Sequence, residues 1–387
     1  MRADRRLRRR VLAIFPIDLN RQDTVGLRDK AHELIVAAKS LGLEVDACFA
    51  KARQLVLWKH EDSPPWREWV ADGAGGVRDT LYQHLGFYRD VTKLLGTGAY
   101  THVWARAAPV TPLQVRMWRT AKNRGLATLL DLPSYPFAYE ADSWLRRIVL
   151  SATYPLYKLQ AASLDRVGTT SQHARIWDIP TLRVRNGVLI AHPVGNGAGL
   201  PPKTGKIRVA GIAQWAKWHG LHRLIEGLKD SPLKTEFEFK FAGEGPLLDE
   251  LKRAATAAGL EVRWLGPVAG EARKQLLAWC DIALGTLSWE GNRLEHYYSL
   301  KHRLYAAQGV PFVATTRDPA WHDCESVLGV TQDAGPVAAE RIYHFGKRAR
   351  EHAVPYAELL RARAANHAWQ VTYRAVWDWF LDDSLSE

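Results

Sequence analysis

Residues 241–268 have the sequence FAGEGPLLDELKRAATAAGLEVRWLGPV, which decides the fold of the second half of the chain. Its apolar start predicts a strand, Gly243-Glu244-Gly245-Pro246 predicts a tight turn, and a helix then leads to another strand. Glycines in such a turn let a ligand approach the backbone amides at the helix N-terminus. The turn is also compatible with an ordinary strand-to-helix connection, so both interpretations stay open.

Strands and helices alternate along the chain on either side of this stretch. Apolar runs bounded by polar residues predict buried strands, and apolar residues at helical spacing predict the helices between them. The predicted strands are Val11–Ile17, Leu43–Ala50, His102–Arg106, Ala127–Leu132, Arg166–Ser171, Thr181–Arg185, Ile207–Ile212, Glu236–Ala242, Glu261–Leu265, Ile282–Thr286 and Pro311–Thr315. The predicted helices are Leu27–Leu41, Val77–Leu95, Thr111–Asn123, Ser143–Leu164, Leu221–Leu228, Pro246–Ala258, Glu271–Trp279, Ser299–Gln308 and Gly335–Arg350.

A stretch rich in glycine and proline, residues 197–206, divides the alternating pattern and predicts a linker. We therefore expect an α/β protein of two Rossmann-like doubly wound domains, residues 1–196 and 207–354. Helical material in residues 355–387 is expected to cross back to the first domain. Such a pair of domains binds ligands in a cleft at the ends of the strands.

Length and composition exclude several classes of protein. The 387 residues are 47% hydrophobic and 24% charged, which supports two folded cores and argues against disorder, collagen or a coiled coil. No apolar run approaches the roughly 18 to 20 residues of a membrane span, and we expect no secretory signal. Three separated cysteines favour a reducing compartment, and without a CxxC or HExxH motif we expect no metal site.

Basic residues outnumber acidic ones by 53 to 41, a net charge of +12, and residues 1–10 form a basic arm with six arginines. The arm is either a solvated tail or a contact for an anionic membrane surface. Residues 146–159, basic at the start and otherwise apolar, are either a second membrane contact or a core helix. The remaining charge is scattered without a nucleic-acid-binding motif, so no nucleic-acid partner is expected.

Seven segments in order resemble the GT-B glycosyltransferases of the family-4 kind, over residues 11–350. Four lie in the second half: Gly211–Leu228, the GxGP turn at 243–246, Trp264–Val268 and Ser299–Thr315, which is similar to a SxLKxxEYxAxGxPxVAT helix and strand. Three lie in the first half: Thr24–Asp46, Ala127–Glu140, which is similar to a segment of bacterial polysaccharide glycosyltransferases, and Arg185–Val188.

The resemblance implies a GT-B fold and transfer of a sugar from a nucleotide-diphosphate donor, with retention at the anomeric carbon. It implies a donor site on the second domain, an acceptor site on the first, and neither a metal nor another cofactor. Positive side chains and helix-terminal amides would stabilise the departing diphosphate. A glycan or lipid-linked acceptor of bacterial surface polysaccharide or glycolipid synthesis would place the protein in the cytoplasm, with the inner membrane face as a further contact.

The resemblance assigns donor-binding residues to the helix that starts near Ser299. Amides of Ser299 and Leu300 can hold a phosphate, and Lys301 and Arg303 add positive charge. Further donor contacts are implied in the glycine turn and in the loop that meets the nucleotide base, namely Gly243, Glu244, Gly245, Leu265 and Val268.

Members of the family hold the phosphates with an arginine and a lysine just before a glycine. Alignment on Gly220 puts His219 at the lysine position and Gln214 near the arginine position, with Lys217 close by. The resemblance thus implies that His219, Lys217 and Lys301 take part in catalysis. A satisfied surface histidine is the alternative for His219, and a solvated helix face is the alternative for Lys301 and Arg303.

The chain departs from the family at its paired glutamates. The second should stand at Leu304 and the first at His296, which has Glu295 beside it and Glu290 further off. Leucine cannot accept hydrogen bonds from the ribose hydroxyls. Either the ribose is held by other groups, or donor binding is weak, or this chain has lost activity.

Acceptor-side residues are expected at the strand ends of the first domain. Gly26 and Lys30 open the first helix, where Gly26 would face the donor, and Arg106 ends a strand. Beyond the next strand lie Asp131, a candidate catalytic base, and the candidate acceptor contacts Ser134, Tyr135 and Glu140. For Gly26 a plain loop glycine is the alternative, and for Glu140 a helix N-terminal charge.

Two other functions stay open. One is an inactive or weakly active GT-B partner of a working glycosyltransferase, which Leu304 favours. The other is a GT-B epimerase or phosphorylase, which the family segments disfavour.

Overall fold

The computed structural model describes residues 9–21, 24–61, 77–98, 100–132, 135, 153–190, 205–288, 298–315, 318–331 and 335–382. The chain divides into two compact units, Met1–Arg185 with Trp369–Glu387 and Asn186–Ala368. Each unit holds a largely parallel sheet with helices, so the predicted α/β class with two Rossmann-like domains is confirmed. Residues 355–368, predicted to return to the first domain, belong to the second unit, and the return begins at Trp369.

The described residues of the first unit form eight strands, which in chain order are β1 Arg10–Asp18, β2 Glu44–Lys51, β3 Gln54–Trp58, β4 His102–Arg106, β5 Ala127–Asp131, β6 Arg166–Thr169, β7 Arg175–Ile176 and β8 Ile179–Arg183. Their order across the sheet is β3-β2-β1-β4-β5-β6-β8-β7. All pairs are parallel except β2 with β3 and β7 with β8. The strand order reverses between β1 and β4, which is where a doubly wound sheet forms a ligand crevice.

Helices of the first unit cover both faces of this sheet. They are Val25–Ser40, Val77–Leu81, a π-helical turn at Tyr82–Gly86, Phe87–Thr97, Pro112–Asn123, Tyr154–Ala161, Trp369–Thr372 and Arg374–Leu381. One core contains fully buried Phe87, Trp118 and Leu130. The rings of Trp377 and Phe380 pack on Trp104 of β4, with centroids 5.7 and 6.1 Å from that of Trp104. The C-terminal segment therefore completes this unit.

Within its described residues, the second unit has six strands: β9 Ile207–Ile212, β10 Phe237–Ala242, β11 Val262–Leu265, β12 Ile282–Leu284, β13 Phe312–Thr315 and β14 Val327–Val330. They pair in parallel, in the order β11-β10-β9-β12-β13-β14. The α-helices are Leu221–Lys229, Leu248–Ala257, Gly270–Trp279, Leu300–Gln308, Ala339–Glu351 and Ala353–Ala365, and the 3₁₀ turns are Lys217–His219, Pro232–Glu236 and Pro319–Trp321. The strand order reverses between β9 and β12, so their carboxyl ends mark the expected ligand position.

Three features of the first unit differ from the sequence prediction. β3 is an edge strand that pairs antiparallel with β2, and the turn between them places Ala52 at φ 51°. Arg9 and Arg10, counted in the basic arm, belong to the fold: Arg9 donates to the Phe380 carbonyl and Arg10 pairs with Asp46 at 2.8 Å. Of the helix predicted over 143–164, residues 153–164 are described, and among them the helix runs over Tyr154–Ala161.

Most of the predicted linker, residues 197–204, lies outside the described residues. Among the helices that the structure describes, none combines the length and the apolar character that crossing a bilayer requires.

Candidate functional site

The glycine turn at 243–245 packs against the loop that follows β9. Gly243 and Gly245 have φ of +114° and +147°, and a Cβ on Gly243 would lie 1.9 Å from the Ala213 carbonyl oxygen. The Trp215 amide donates to the Glu244 carbonyl at 2.6 Å, which fastens the two loops together. These glycines therefore have a structural cause, the close approach of two backbones, whether or not a ligand also approaches them.

The loops that flank the reversal of strand order also touch each other. Gly220 has φ +68°, and a Cβ there would lie 2.6 Å from the Ser288 amide nitrogen. The Leu287 amide donates to the His219 carbonyl at 3.0 Å. The loop after β9 and the loop after β12 thus form one rim at the carboxyl edge of the sheet.

Lys301 and His219, 82 positions apart in the sequence, meet at this rim. The Lys301 ammonium donates to His219 Nδ1 at 3.0 Å and to the Gly285 carbonyl at 2.9 Å. Lys301 is the second residue of the Leu300–Gln308 helix, and the Ser299 side chain makes no capping hydrogen bond. The first amides of this helix and the ammonium group therefore lie close together, a combination that suits an anion.

Burial sets the electrostatics of this pair. It lowers the pKa of Lys301 from an ordinary 10.5 to about 7. Burial, and then the charges of Lys301 and His302, lower the pKa of His219 well below its usual range. A backbone hydrogen bond with Gln214 acts in the opposite direction and raises this pKa, but its effect is smaller. His219 is thus neutral at physiological pH, while Lys301 is only partly charged and would gain charge beside an anion.

Other predicted donor residues have the following positions. Gln214 and Lys217 are exposed beside the His219 turn. Leu265, Val268 and Leu304 pack against an apolar cluster that contains Tyr305 and Phe312. The leucine side chain itself offers no acceptor for a ribose hydroxyl.

Arg303, predicted to contact the donor, is fully buried with another partner. Its guanidinium binds Asp318 at two points, 2.6 and 3.1 Å, and donates to the Ser299 carbonyl at 3.1 Å. Asp318 also accepts from His302 Nδ1 at 3.1 Å. Burial alone would raise the pKa of Asp318, but Arg303 and His302 lower it well below its usual range.

In the first unit, a buried cluster joins three predicted residues to the C-terminal segment. Tyr373 donates to Asp131 Oδ1 at 3.1 Å, and Arg106 lies 3.6 Å from Asp131 Oδ2. The Lys30 ammonium lies 5.6 Å from the ring centroid of Trp369, and burial lowers its pKa to about 8 against the attraction of Asp131. Asp131 is 1% exposed, so this geometry favours an anchoring role for it over that of a base.

The remaining predicted residues are partly described. Gly26 lies exposed in the first turn of its helix. Apart from the neighbouring backbone, no atom of the described residues lies within 4 Å of the position that a methyl group would take there, so a ligand could approach it. Tyr135 contacts the rings of His173 and Trp177. Ser134, Glu140, Glu295 and His296 lie outside the described residues. As site residues, all the predicted positions stay predictions.

Sequence reasoning missed His302, Asp318 and Tyr373. No local signal marks them, because each meets its partner from a distant part of the chain. Within the described residues, no group of three or more His, Cys, Asp or Glu side chains could hold a metal ion.

No family model and no curated protein sequence matches the chain. Solved structures of similar fold include HepE of Anabaena in complex with UDP and glucose, with a TM-score of 0.57 and 14% identity over 96% of this chain and 99% of that one. AviGT4, a glycosyltransferase involved in avilamycin A biosynthesis, has a TM-score of 0.56 and 14% identity over 97% of this chain and 98% of its own. The N-terminal domain of the Candida albicans trehalose-6-phosphate phosphatase has a TM-score of 0.59 and 13% identity over 98% of this chain and 97% of its own.

At such low identity the likeness concerns the course of the backbone and leaves the reaction open. It extends over nearly the full length of each compared chain. Two Rossmann-like units with a C-terminal helical segment returning to the first unit agree with it. The chain has the GT-B fold.

Proposed function

We propose that this chain is a retaining glycosyltransferase that moves a sugar from a nucleotide-diphosphate donor to a glycan or lipid-linked acceptor. The observation that carries the proposal is the position of Lys301, beside the first amides of a helix and at the reversal of strand order in the second unit. HepE, of the same fold, is solved with UDP and glucose, which supports a nucleotide donor. Synthesis of a surface polysaccharide or glycolipid is the setting we propose, in the cytoplasm.

The proposed chemistry uses the chain's own positive groups. When the bond to the sugar breaks, negative charge develops on the departing diphosphate. Lys301 and the helix amides would stabilise that charge in a site with little water, where preorganised donors have their largest effect. His219 directs the Lys301 ammonium by accepting one of its hydrogen bonds. With these groups in place, the proposed transfer requires no metal.

A screen of nucleotide sugars tests the proposal. UDP-, GDP- and ADP-sugars are added to the protein, and a ligand that binds the folded state raises the melting temperature. Lys301→Met should weaken the selected donor about 10- to 150-fold, because a charge-assisted hydrogen bond contributes about 1.5 to 3 kcal/mol. Lys347→Met, which alters an exposed lysine of the same unit, serves as the control.

The reaction itself is followed with the selected donor and a mixture of glycan and lipid-linked acceptors. NMR of the product reports the anomeric configuration, which should match that of the donor sugar. Inversion contradicts the retaining mechanism. Conversion of the donor to an epimer without an acceptor identifies an epimerase, and the absence of binding by any nucleotide sugar refutes the proposal.

Leu304 supports a second candidate, an inactive partner of another glycosyltransferase. The side chain packs against the apolar cluster of its own unit, where the family's ribose-binding glutamate is expected. Leu304→Glu is compared with Glu295→Ala by donor affinity and sugar transfer. A gain of donor affinity and transfer in Leu304→Glu, with no change in Glu295→Ala, favours a degenerate donor site. A loss from the second alone favours a working enzyme that holds the ribose through Glu295.

A further inference from the structure

A buried hydrogen-bonded chain runs behind the candidate donor site. Asp318 Oδ2 lies 3.1 Å from His302 Nδ1, and His302 Nε2 lies 3.1 Å from the Thr286 amide nitrogen. His302 is 1% exposed, Asp318 is 2% exposed and Thr286 is fully buried. These contacts join the loop before the Pro319–Trp321 turn, the Leu300–Gln308 helix and the loop after β12.

The chemistry of the chain fixes the proton on His302. A backbone amide can only donate, so Nε2 must carry a lone pair toward Thr286. The proton of the neutral ring therefore lies on Nδ1 and points to Asp318. Arg303 also binds both oxygens of Asp318, at 2.6 and 3.1 Å, and its positive charge keeps the carboxylate available as the acceptor.

Thr286, whose amide donates to His302, lies in the sequence between Gly285 and Leu287, whose backbone groups bind Lys301 and His219. Gly285, on one side of Thr286, accepts from the Lys301 ammonium at 2.9 Å. Leu287, on the other side, donates to the His219 carbonyl at 3.0 Å. The imidazole packs so closely that a Cβ on Gly285 would lie 2.5 Å from His302 Nε2. Displacement of the ring would therefore move the loop that carries both contacts.

We infer that His302 is a positioning residue: as the Nδ1-protonated ring between Asp318 and the Thr286 amide, it fixes the 285–287 loop and through it the Lys301–His219 pair. The inference rests on the proposed function where it concerns donor binding. The hydrogen bonds of the His302 side chain go to Asp318 and the Thr286 amide, and not to Lys301 or His219. Its effect on that pair therefore passes through the loop backbone.

Affinity for UDP separates this role from simple packing. His302→Phe keeps a flat ring but removes the acceptor, whereas His302→Gln keeps an oxygen that can reach the amide. We expect UDP to bind about tenfold or more weakly to His302→Phe, about 1.4 kcal/mol, and His302→Gln to recover most of the loss. His344→Phe, at an exposed position, is the control. Melting temperatures show whether each variant is folded, and equal UDP affinity in folded wild type and both variants overturns the inference.

NMR of the histidine ring nitrogens tests the same inference without a ligand. The expected spectrum has the proton of His302 on Nδ1. His302→Phe should shift the His219 ring signals because the loop moves, and His302→Gln, which can still accept from the Thr286 amide, should shift them less. A proton on Nε2, or His219 signals unchanged in His302→Phe, overturns the inference. If wild type binds no nucleotide at all, the proposed function fails, while the spectra still decide the role of His302.

Discussion

Raising the pH should weaken nucleotide binding through a single side chain. Burial lowers the pKa of Lys301 to about 7, whereas a bound phosphate would keep the ammonium charged. Above neutral pH, binding must therefore include the uptake of one proton by the free protein. The pKa of His219 and that of His302 are both lowered, chiefly by burial, so both imidazoles stay neutral in the same range.

The magnitude follows from the charged fraction of Lys301 in the free protein. With a pKa of about 7, that fraction falls from roughly a quarter at about pH 7.5 to roughly one hundredth at about pH 9, so UDP affinity should fall about 20-fold. The second ionisation of a terminal phosphate has a pKa of about 6, so the β-phosphate of UDP is mostly ionised at about pH 7.5 and adds little slope above it.

Isothermal titration calorimetry of UDP at several pH values measures the effect. Buffers with different ionisation enthalpies report the proton uptake directly. Lys301→Met should bind UDP weakly, with an affinity that does not change over this range, and Lys301→Arg should bind with equally little pH dependence because its guanidinium stays charged. A wild-type affinity that is flat from about pH 7.5 to 9, or an equal slope in Lys301→Met, would refute the reasoning.

Four further outcomes are expected. The pKa of Lys301 is lower in the folded chain than its ordinary 10.5, so wild type loses stability as the pH falls from about 10 to about 7. Lys301→Met removes this titration and should therefore raise the melting temperature more at about pH 6 than at about pH 9. Tyr373→Phe should lower the free energy of unfolding in urea by about 1 to 3 kcal/mol, because its buried carboxylate partner loses a hydrogen bond. Gly243→Ala should lower it by more than about 1 kcal/mol, whereas Gly266→Ala, with no atom within 4 Å of the added methyl, should change it little. Deleting residues 2–8 should release the protein from anionic liposomes at moderate salt, since each basic residue contributes about 1 kcal/mol, and unchanged liposome binding would contradict a role for the arm.

The sequence predicted the central strands well because their composition alone determines them. β9 and β4 have the predicted ends, since each is mostly apolar and mostly buried on both faces. The edge strands β3 and β14 escaped prediction. The turn before β3 uses Ala52 at positive φ where glycine or asparagine normally marks a hairpin, and β14 is a four-residue strand that contains a glycine.

The candidate site was predictable only in part, for a related reason. The family resemblance pointed separately to His219 and Lys301, and the structure places their nitrogen atoms 3.0 Å apart. A cation near a helix start suggests a phosphate contact, so the sequence predicts that Arg303 contacts the donor. Its carboxylate partner, Asp318, lies in a different loop 15 positions away, and no spacing rule connects a helix residue with such a loop.

The return of the chain to its first unit has a consequence for synthesis. The chain leaves that unit at Arg185 and re-enters it at Trp369, so the aromatic cover of Trp104 is translated after the whole second unit. A nascent chain can therefore finish its second unit while the first still exposes an indole and the carboxylate of Asp131. Such an interval of exposed apolar surface invites chaperone binding or aggregation. A chain truncated after residue 368 would contain the complete second unit, but its first unit would lack the C-terminal helices that cover Trp104.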